Sequence, residues 1–377
     1  MREITLEHLP WLAEGAAVLG AGGGGSTYLS RLVLQRLLRQ GARVRIADAQ
    51  ELGEEDLGPV LGGMGAPTVG IERLPTSGRF GLLIKTLAEA TGRPAAFIAI
   101  GEIGGGNALT PLIGAAESGL PVADADPMGR AFPELQMNTY MIDGLLPDPL
   151  LLEDAKQVTA VLRHLPDAQT AERYARALTW AMGGSAGLIL SAVTGAQVRR
   201  HGIPGTLSLA ETIGHAMVRA RGAHRSTVEG IAEVVAGARH LFEGKIVDLE
   251  RRTVAGFARG VISIEGLGSY RGETLKIDFQ NEYLIARRGD RPEDVLLTVP
   301  DLLVLLEQES GLALGSEALR YGLRLHVLGL PAARELKTDS ALAVVGPAAF
   351  GYDVPFLPLP GDLLGRSAPK PPSVTAH

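Results

Sequence analysis

The feature that most constrains the fold is an alternation of short apolar runs with amphipathic stretches over the first 165 residues. The apolar runs have the composition of strands and lie at 16–20, 42–48, 58–63, 95–101 and 120–126. Helical periodicity follows at 28–40, 81–91 and 109–118. Because strands and helices of this length alternate in βαβ units, the pattern predicts a three-layer α/β sandwich with a mostly parallel sheet.

The rest of the chain divides into a helical and a β-rich part. Residues 166–243 are predicted to be helical throughout, and the charge-free stretch 177–198 is interpreted as two buried helices that meet at Gly183 and Gly184, in preference to a membrane span. Its candidate helices lie at 170–182, 208–221 and 226–242, the last two with Ser and Glu at the spacing of a capping box.

From Gly244 the chain consists of short β-rich runs broken by Gly, Asp and Pro, which predicts a small antiparallel sheet or β-barrel-like domain. The expected organisation is an α/β domain (1–243), a β-rich domain (244–340), a segment that packs back on the first domain (341–365) and a disordered tail (366–377).

Glycine-rich segments follow several of the predicted strands. Ligands bind at the carboxyl ends of parallel strands, and glycine lets backbone amides approach a ligand closely. The candidate binding residues are Gly22, Gly23, Gly24, Gly25 and Ser26 after the first strand and Gly104, Gly105, Gly106 and Asn107 after the fourth. The alternative is that these glycines only form tight turns between strands and helices.

The first glycine-rich segment also resembles a dinucleotide fingerprint. Gly20, Gly22 and Gly25 have G-x-G-x-x-G spacing, with a predicted strand before, a helix after, and Asp48 as the acidic residue further on. An NAD(P)-binding Rossmann-type oxidoreductase is therefore one alternative. Two observations argue against this alternative. Other strand ends are equally rich in glycine, and carboxylates at these ends would repel a pyrophosphate.

Three carboxyl groups at predicted strand ends are candidate catalytic residues. Burial beside the apolar run 95–101 would raise the pKa of Glu102 toward that of a general acid. Asp124 and Asp126 are two positions apart and share one face of the predicted strand, so that their like charges would raise the pKa of one of them. Glu72 is a further candidate for substrate binding. The alternatives are capping or turn roles for these acids and a divalent-metal site at the Asp pair.

Residues from other parts of the chain are expected to complete the site. His201 begins a turn and is the histidine we would test first, although a single histidine is more often structural than a ligand. No His-x-x-x-His pair occurs, so a zinc motif on a helix is absent from the sequence. Asn281 and Glu282 are expected to close the site from the second domain, or alternatively to form a hydrogen-bonded pair in a barrel turn.

Composition narrows the classes of function. The net charge of −6 and the absence of any Lys/Arg run longer than two residues argue against nucleic-acid binding. The chain has no cysteine, which excludes disulfides and thiolate catalysis and fits a cytoplasmic protein. The N-terminus lacks the basic region of a signal peptide, and no Walker motif occurs.

Several motifs occur in order along nearly the whole chain: GAGGGGSTY, GEIGGGNALTPL, DADPMGRAFPELQMNTY, HGIPGTLSLAETIG, RRTVAGFARG, FQNEYLIARRGD, VPDLLVLL, LRYGLRLHV and FGYDVPFLPL. As a set they resemble the S-methyl thiohydantoin desulfurase family. The resemblance implies an N-terminal α/β sandwich, a C-terminal β-barrel-like domain, and hydrolysis of an S-methylated thiohydantoin to a hydantoin and methanethiol. It brings no established catalytic set with it.

The residues fit that chemistry without a nicotinamide or a cysteine. We hypothesise that Glu102 and the Asp124/Asp126 pair transfer the protons, while the two glycine-rich segments orient the ring or a carboxylate on its side chain. The expected partners are a small heterocyclic substrate and further copies of the chain, with no nucleic acid and no membrane. No cofactor is predicted, and a divalent metal is left open. A non-catalytic subunit of a hydantoinase or oxoprolinase is a further alternative.

Overall fold

A computed structural model describes residues 1–65, 69, 78–254, 256–289, 291 and 294–365, and of Arg79 the backbone alone. The described helices are α1 (His8–Leu19), α2 (Thr27–Arg39), α3 (Arg79–Thr91), α4 (Thr110–Ser118), α5 (Thr139–Ile142), α6 (Ala168–Ala181), α7 (Gly195–His201), α8 (Thr206–Gly222), α9 (Thr227–Val234) and α10 (Asp339–Val345). Glu72 and the predicted tail at 366–377 lie outside the described residues.

The strands of the N-terminal part are β1 (Arg2–Ile4), β2 (Val44–Ala47), β3 (Leu57–Gly65), β4 (Ala99–Ile100), β5 (Val122–Ala123), β6 (Ala125–Asp126), β7 (Leu150–Glu153), β8 (Thr159–Leu162), β9 (Ser185–Thr194) and β10 (Ile203–Pro204). Those of the C-terminal part are β11 (Arg239–Val254), β12 (Phe257–Gly266), β13 (Thr274–Gln280), β14 (Glu282–Arg288), β15 (Val295–Thr298), β16 (Leu302–Glu307) and β17 (Arg324–Leu330). The predicted fold class, an α/β part followed by a β-barrel-like part, is confirmed, with mixed sheets in the first part and a curled antiparallel half-barrel in the second.

The N-terminal part has a five-stranded sheet with helices on both faces. Its strand order is β4-β3-β9-β7-β8. Leu61, Ile189 and Leu151 are paired across β3, β9 and β7 and face the core beneath α3 and α4. Leu188 and Leu152 project to the other face, which packs against α6. Side chains alternate between the faces of a strand, so a sheet covered on both sides buries apolar residues at successive positions.

The three-stranded and the five-stranded sheet of the N-terminal part are mixed. Parallel pairs join β3 to β4 and β2 to β5, as the βαβ pattern predicts. The other pairs of the five-stranded sheet are antiparallel, and so is the pair of β1 with β2. Much of the antiparallel character comes from β9, which lies in the centre of the five-stranded sheet.

The prediction of a helix at the site of β9 is wrong. Helix α6 ends at Ala181, and Gly183 and Gly184, with φ of 92° and 83°, lead directly into the strand. The helix ends near this glycine pair as predicted, but a strand follows the pair where a second helix was predicted. An apolar run that is buried on both sides has no periodicity to distinguish a strand from a buried helix.

The predicted strand at 16–20 is also wrong, because these residues are the end of helix α1 and the residue that follows it. Helix α1 is buried against α8, and Gly15 allows the two helices to approach closely. A Cβ at this position would lie 1.6 Å from the carbonyl oxygen of Ala210 in α8, so the two helices pack closely there. The glycine-rich segment 20–26 therefore connects two helices rather than a strand and a helix.

Two helix boundaries differ from those predicted. Helix α8 begins at Thr206 after Gly205, so Ser208 and Glu211 lie inside the helix and not at its cap. Ser226 caps α9 as predicted by accepting a hydrogen bond from the amide of Val228, but α9 ends at Val234. Strand β11 then begins at Arg239.

The C-terminal part is a curled antiparallel half-barrel. Its strand order is β15-β14-β13-β12-β11-β17-β16, and the sheet curves so that β14 also contacts β16. Its interior is filled by apolar side chains such as Phe242, Ile262, Ile277 and Val327. The half-barrel contacts the N-terminal part at several points, including the hydrogen bond from the amide of Tyr283 to the carbonyl of Ala21 (2.7 Å).

The segment after the half-barrel contacts both parts of the molecule. Helix α10 buries Ala341 and Val345 in the N-terminal core, whereas Leu359 packs on the half-barrel and donates its backbone N–H to Asp301 (2.6 Å). Within the described residues, no helix has the length and apolarity needed to cross a membrane.

Candidate active site

Glu102 lies just beyond the carboxyl end of β4, where the sequence predicts a functional acid. Its exposed fraction is 8 %. The side-chain amide of Asn107 donates to Oε1 (3.2 Å), and the backbone amide of Phe132 donates to Oε2 (3.4 Å). Burial raises the pKa of Glu102 well above its ordinary value, and the nearby carboxyl of Glu282 raises it further. Both effects favour the protonated form of the Glu102 carboxyl.

Glu282 enters the same region from the half-barrel. It begins β14 directly after Asn281, whose φ of 57° is left-handed. Two hydrogen bonds hold this turn, one from the amide of Asn281 to the carbonyl of Ala258 (2.7 Å) and one from the amide of Ala258 to Asn281 Oδ1 (2.9 Å). Glu282 is 2 % exposed, and among the described residues its Oε2 has no hydrogen-bond partner. Burial raises its pKa to about 8, against the opposing effect of Arg130.

Two adjacent glycines separate the carboxyl groups of Glu102 and Glu282. A Cβ on Gly23 would lie 1.8 Å from Glu282 Oε1, and a Cβ on Gly24 would lie 2.9 Å from Glu102 Oε1. Gly24 also has a φ of 74°. The glycine-rich segment thus brings the two carboxyl groups together by leaving room for both, which larger residues at these positions would remove.

Arg130 is a fully buried cation in the same region. Its guanidinium donates to backbone carbonyls of Tyr283 (3.2 Å), Pro300 (3.3 Å), Asp301 (2.9 Å) and Ala131 (3.0 Å). Burial lowers its pKa to about 10, and the carboxyls of Glu282, Asp301 and Glu102 oppose that change. Arg130 is therefore still charged at neutral pH, and it attaches the N-terminal part to the half-barrel beside Glu282.

Both glutamates line a cavity of about 280 Å³. Its other polar lining residues include Ser26, Ser30, Asn107 and Thr110. The Asn107 side chain is fixed by Gly63, whose amide donates to Oδ1 (3.0 Å) and whose carbonyl accepts from Nδ2 (3.3 Å). The apolar lining comes from α2, α3 and α4, from β3 and β9, and from the loop 132–135. This volume suits a small molecule.

The structure brings many of the predicted site residues to this cavity. Its lining includes Gly24, Gly25, Ser26, Glu102, Gly106, Asn107, Asn281 and Glu282. The other predicted glycines, Gly22, Gly23, Gly104 and Gly105, lie behind this lining. A Cβ on Gly105 would come within 2.5 Å of the backbone of Gly24, so these glycines serve the close packing of the two glycine-rich segments.

Asp124, which the sequence analysis expects to transfer protons, does not line the cavity. Its carboxyl accepts the backbone amides of Leu207 (2.9 Å) and Ser208 (3.2 Å) and the hydroxyl of Ser208. It therefore caps the first turn of α8, where the amides have no partner within the helix.

Asp126 is also absent from the lining. Its carboxyl accepts backbone amides from Ile103 (3.0 Å), Met128 (3.0 Å) and Gly129 (3.1 Å). Burial raises its pKa to about 7. Because Ile103 follows Glu102 directly, Asp126 supports the loop that carries the glutamate and does not itself reach the cavity.

His201 does not line the cavity either. It is the last residue of α7, and its Nδ1 lies 2.6 Å from Oδ2 of Asp143. Its carbonyl accepts the hydroxyl of Thr139 (2.5 Å). These contacts give His201 a structural role at the end of a helix.

Sequence reasoning missed Ser185, which lines the cavity and is the serine of a G-x-S-x-G pattern at 183–187. In a nucleophile elbow that serine stands between a strand and a helix. Here α6 precedes it and β9 follows it, which is the reverse order. Among the described lining residues there is no histidine to act as its base. The pattern therefore does not form a nucleophile elbow.

The structure does not support the alternative of a nicotinamide-binding fingerprint. A dinucleotide fingerprint needs a strand before its glycines, and α1 takes that place. The described part of the chain also has no group of three or more His, Asp or Glu residues arranged to hold a metal ion.

Comparisons with known proteins agree with this architecture. A family model described as S-Me-THD-like, N-terminal domain, matches residues 7–164, and one described as S-Me-THD-like, C-terminal domain, matches residues 166–359. A crystal structure of a protein from Chromobacterium violaceum, a structural-genomics target, has a TM-score of 0.78 and 25 % sequence identity, over 95 % of this chain and 100 % of that one. No curated protein matches the sequence.

Proposed function

The chain belongs to the S-Me-THD-like family, and we propose that it hydrolyses an S-methyl thiohydantoin to a hydantoin and methanethiol. The observation that carries this proposal is the pair of buried carboxyl groups, Glu102 and Glu282, which meet at one small cavity from two parts of the chain. Paired carboxyl groups of raised pKa are suited to moving protons to and from a neutral ring.

The reaction replaces a methylthio group by oxygen. The carbon that carries sulfur is also bonded to two ring nitrogens, so it is electrophilic in the manner of an isothiourea. Water adds to this carbon and gives up a proton to a carboxylate. The carbon–sulfur bond then breaks, the leaving sulfur receives a proton, and the proton left on the added oxygen passes to the ring nitrogen as the carbon–oxygen bond becomes the hydantoin carbonyl. One water is consumed and one methanethiol is released, with no change of oxidation state.

We assign Glu282 as the base and Glu102 as the acid. The charge of Arg130 opposes the effect of burial on the pKa of Glu282, which is raised to about 8, whereas the Glu282 carboxyl adds to the effect of burial on the pKa of Glu102. Glu102 keeps its proton and gives it to the departing sulfur. The side-chain amide of Asn107 is hydrogen-bonded to both the N–H and the carbonyl of Gly63, and it donates to the Glu102 carboxyl, which it keeps at the cavity. Glu282 then releases the proton it has gained to water, and Glu102 takes up a proton from water. This exchange restores the starting state of the pair.

The direct test is release of methanethiol from an S-methyl thiohydantoin without added nucleotide. A chromogenic disulfide measures the thiol without background from the protein, because the chain has no cysteine. Glu102→Gln should lower kcat by roughly 10²- to 10⁴-fold. The matched control is Asp143→Asn, which neutralises a carboxylate outside the cavity and should leave kcat unchanged. Absence of thiol release above the uncatalysed rate would overturn the proposal.

A further inference from the structure

A second cavity, of about 300 Å³, lies on the outer face of the half-barrel. Ile262 and Ile277 fill the interior of the half-barrel, whereas their neighbours Val261 and Asp278 project outward and line this cavity. Three of the segments that resemble the family meet there: RRTVAGFARG, FQNEYLIARRGD and FGYDVPFLPL. No described residue lines both this cavity and the cavity of the two glutamates. It is called the hairpin cavity below, after the hairpin of β11 and β12, which contributes Glu250, Arg252, Val254, Arg259, Gly260 and Val261 to its lining.

Two arginines stand directly opposite each other in this hairpin. Arg252 of β11 is paired with Arg259 of β12, so that both side chains project from the same face of the sheet, and both line the hairpin cavity. Among the described residues, Arg252 has one ion-pair partner, Glu250 at 3.9 Å, and the guanidinium of Arg259 has neither an ion pair nor a hydrogen bond. Like charges at opposed positions of a sheet are destabilising, and a bound anion would remove that repulsion.

Gln280 is a buried amide in the same cavity. It is paired with Arg259 across β13 and β12, so their side chains share one face of the sheet. Gln280 is 6 % exposed, yet its side-chain amide makes no hydrogen bond to any residue that the structure describes. Buried polar groups nearly always have a hydrogen-bond partner, and a primary amide can donate to an anion. Gln280 therefore indicates a polar ligand beside Arg259.

The acid on the β13 side of the cavity already has its own partners. Arg287 donates to both oxygens of Asp278 (2.5 and 3.4 Å), and the hydroxyl of Tyr352 is hydrogen-bonded to the same carboxyl. The carboxylate of Asp278 is thus compensated without Arg259. Phe350 and Leu284 add apolar surface to the lining. Guanidinium groups and an amide beside apolar surface are typical of a site for an organic anion.

We propose that the hairpin cavity binds a small carboxylate ligand that has an apolar body. The carboxylate lies between the guanidinium groups of Arg252 and Arg259 and accepts a hydrogen bond from the amide of Gln280. The apolar body packs on Phe350 and Leu284. Guanidinium groups match a carboxylate in charge and geometry, and the volume of about 300 Å³ suits a small molecule. This site lies outside the cavity of the proposed reaction, and the inference does not depend on that reaction.

The test measures binding of three probes to the whole protein by NMR titration, in a buffer without carboxylate or phosphate. Benzoate carries a carboxylate on an apolar ring, and benzamide has the same shape without the charge. Benzoate should bind at least about tenfold more tightly than benzamide, because the guanidinium groups form charge-assisted hydrogen bonds with it. Inorganic phosphate has the charge without the apolar body and should bind more weakly than benzoate.

Variants of the arginines locate the contact. Arg259→Gln should weaken benzoate binding at least about tenfold and leave benzamide binding unchanged, and Arg252→Gln should act in the same direction. The matched control is Arg239→Gln, which removes an exposed arginine of β11 outside the lining and should leave all affinities unchanged. Without ligand, Arg259→Gln should melt no lower than the wild type, because it removes a like-charged neighbour of Arg252. With benzoate in excess, the wild type should gain more in Tm than the variant.

The outcomes are independent of thiol release. Equal affinities for benzoate and benzamide, or no binding of benzoate, would overturn the inference. Equal effects of Arg259→Gln and Arg239→Gln on benzoate binding would also overturn it, because the anion would then bind outside the hairpin cavity. Tighter binding of inorganic phosphate than of benzoate would overturn the assignment of an organic ligand. Selective loss of benzoate binding in Arg259→Gln, with an unchanged or higher Tm of the free protein, would support the inference.

Discussion

Glu102 and Glu282 are 180 positions apart in the sequence, yet their buried carboxyl groups flank the adjacent glycines Gly23 and Gly24 at one cavity. Glu102 follows a strand of the α/β part, and Glu282 begins a strand of the half-barrel. The carboxyl of Glu282 contributes to the raised pKa of Glu102. The proposed acid–base pair therefore exists only when the two parts of the chain are packed together.

The two glutamates should behave as one unit in kinetics. Glu282→Gln removes the base and should lower kcat/KM by roughly 10²- to 10⁴-fold, like Glu102→Gln. The variant with both substitutions should lose little more than the worse single variant, because either loss already disables the pair. Rates of thiol release from the four proteins test this. Losses that multiply in the double variant would show that the two carboxyls act independently.

Glu282 should also make stability depend on pH. Its pKa rises from an ordinary 4.5 to about 8 in the folded protein, so the folded state holds a proton that the unfolded state releases. The free energy of unfolding should therefore fall as the pH rises from about 4.5 to about 8. Glu282→Gln removes this effect and should melt several degrees above the wild type at about pH 9 but not at about pH 4. A difference in Tm that is the same at both pH values would contradict the pKa shift.

Gly24→Ala should damage both the fold and the reaction. The new Cβ would lie 2.3 Å from the carbonyl oxygen of Gly104 and 2.9 Å from Glu102 Oε1. Gly25→Ala is the matched control, because its φ of 80° is as unfavourable for alanine as the 74° of Gly24, but a Cβ there meets nothing within 4 Å. Gly25→Ala should cost about 1–2 kcal/mol of stability and Gly24→Ala more. Equal losses of Tm and kcat/KM in the two variants would contradict the close packing.

Asp124 should prove structural. Asp124→Ala removes the acceptor for the amides of Leu207 and Ser208 at the start of α8 and should cost about 1–2 kcal/mol of stability. The folded variant should keep kcat within a few-fold of the wild type. Thermal denaturation and thiol release measure the two effects. A loss of kcat comparable to that of Glu102→Gln, with little change of Tm, would restore Asp124 to the catalytic set.

The sequence predicted the fold class because the alternation of strands and helices is a local pattern. It failed at residues 16–20 and 185–194, where runs buried on all sides have no polar face to reveal their period. Gly15 and Ala210 show the reason, since the close approach of α1 and α8 that buries the first run joins residues far apart in the chain.

Part of the candidate site could also be predicted from local sequence patterns. Glu102 and Asn107 could be identified because they follow a recognisable strand, and Glu282 because the polar FQNE segment interrupts a β-rich run of the second part. The position of Arg130 had no such signal. Three of its hydrogen bonds go to carbonyls more than 150 residues away, and such contacts appear only in the folded molecule.

The pH dependence of methanethiol release tests the central claim most directly. If Glu282 must be ionised, kcat/KM should rise about tenfold per pH unit toward the pKa of Glu282 at about 8. Glu282→Gln should abolish the rising limb. A profile for the wild type that is flat from about pH 6 to about pH 10 would contradict the proposed acid–base pair.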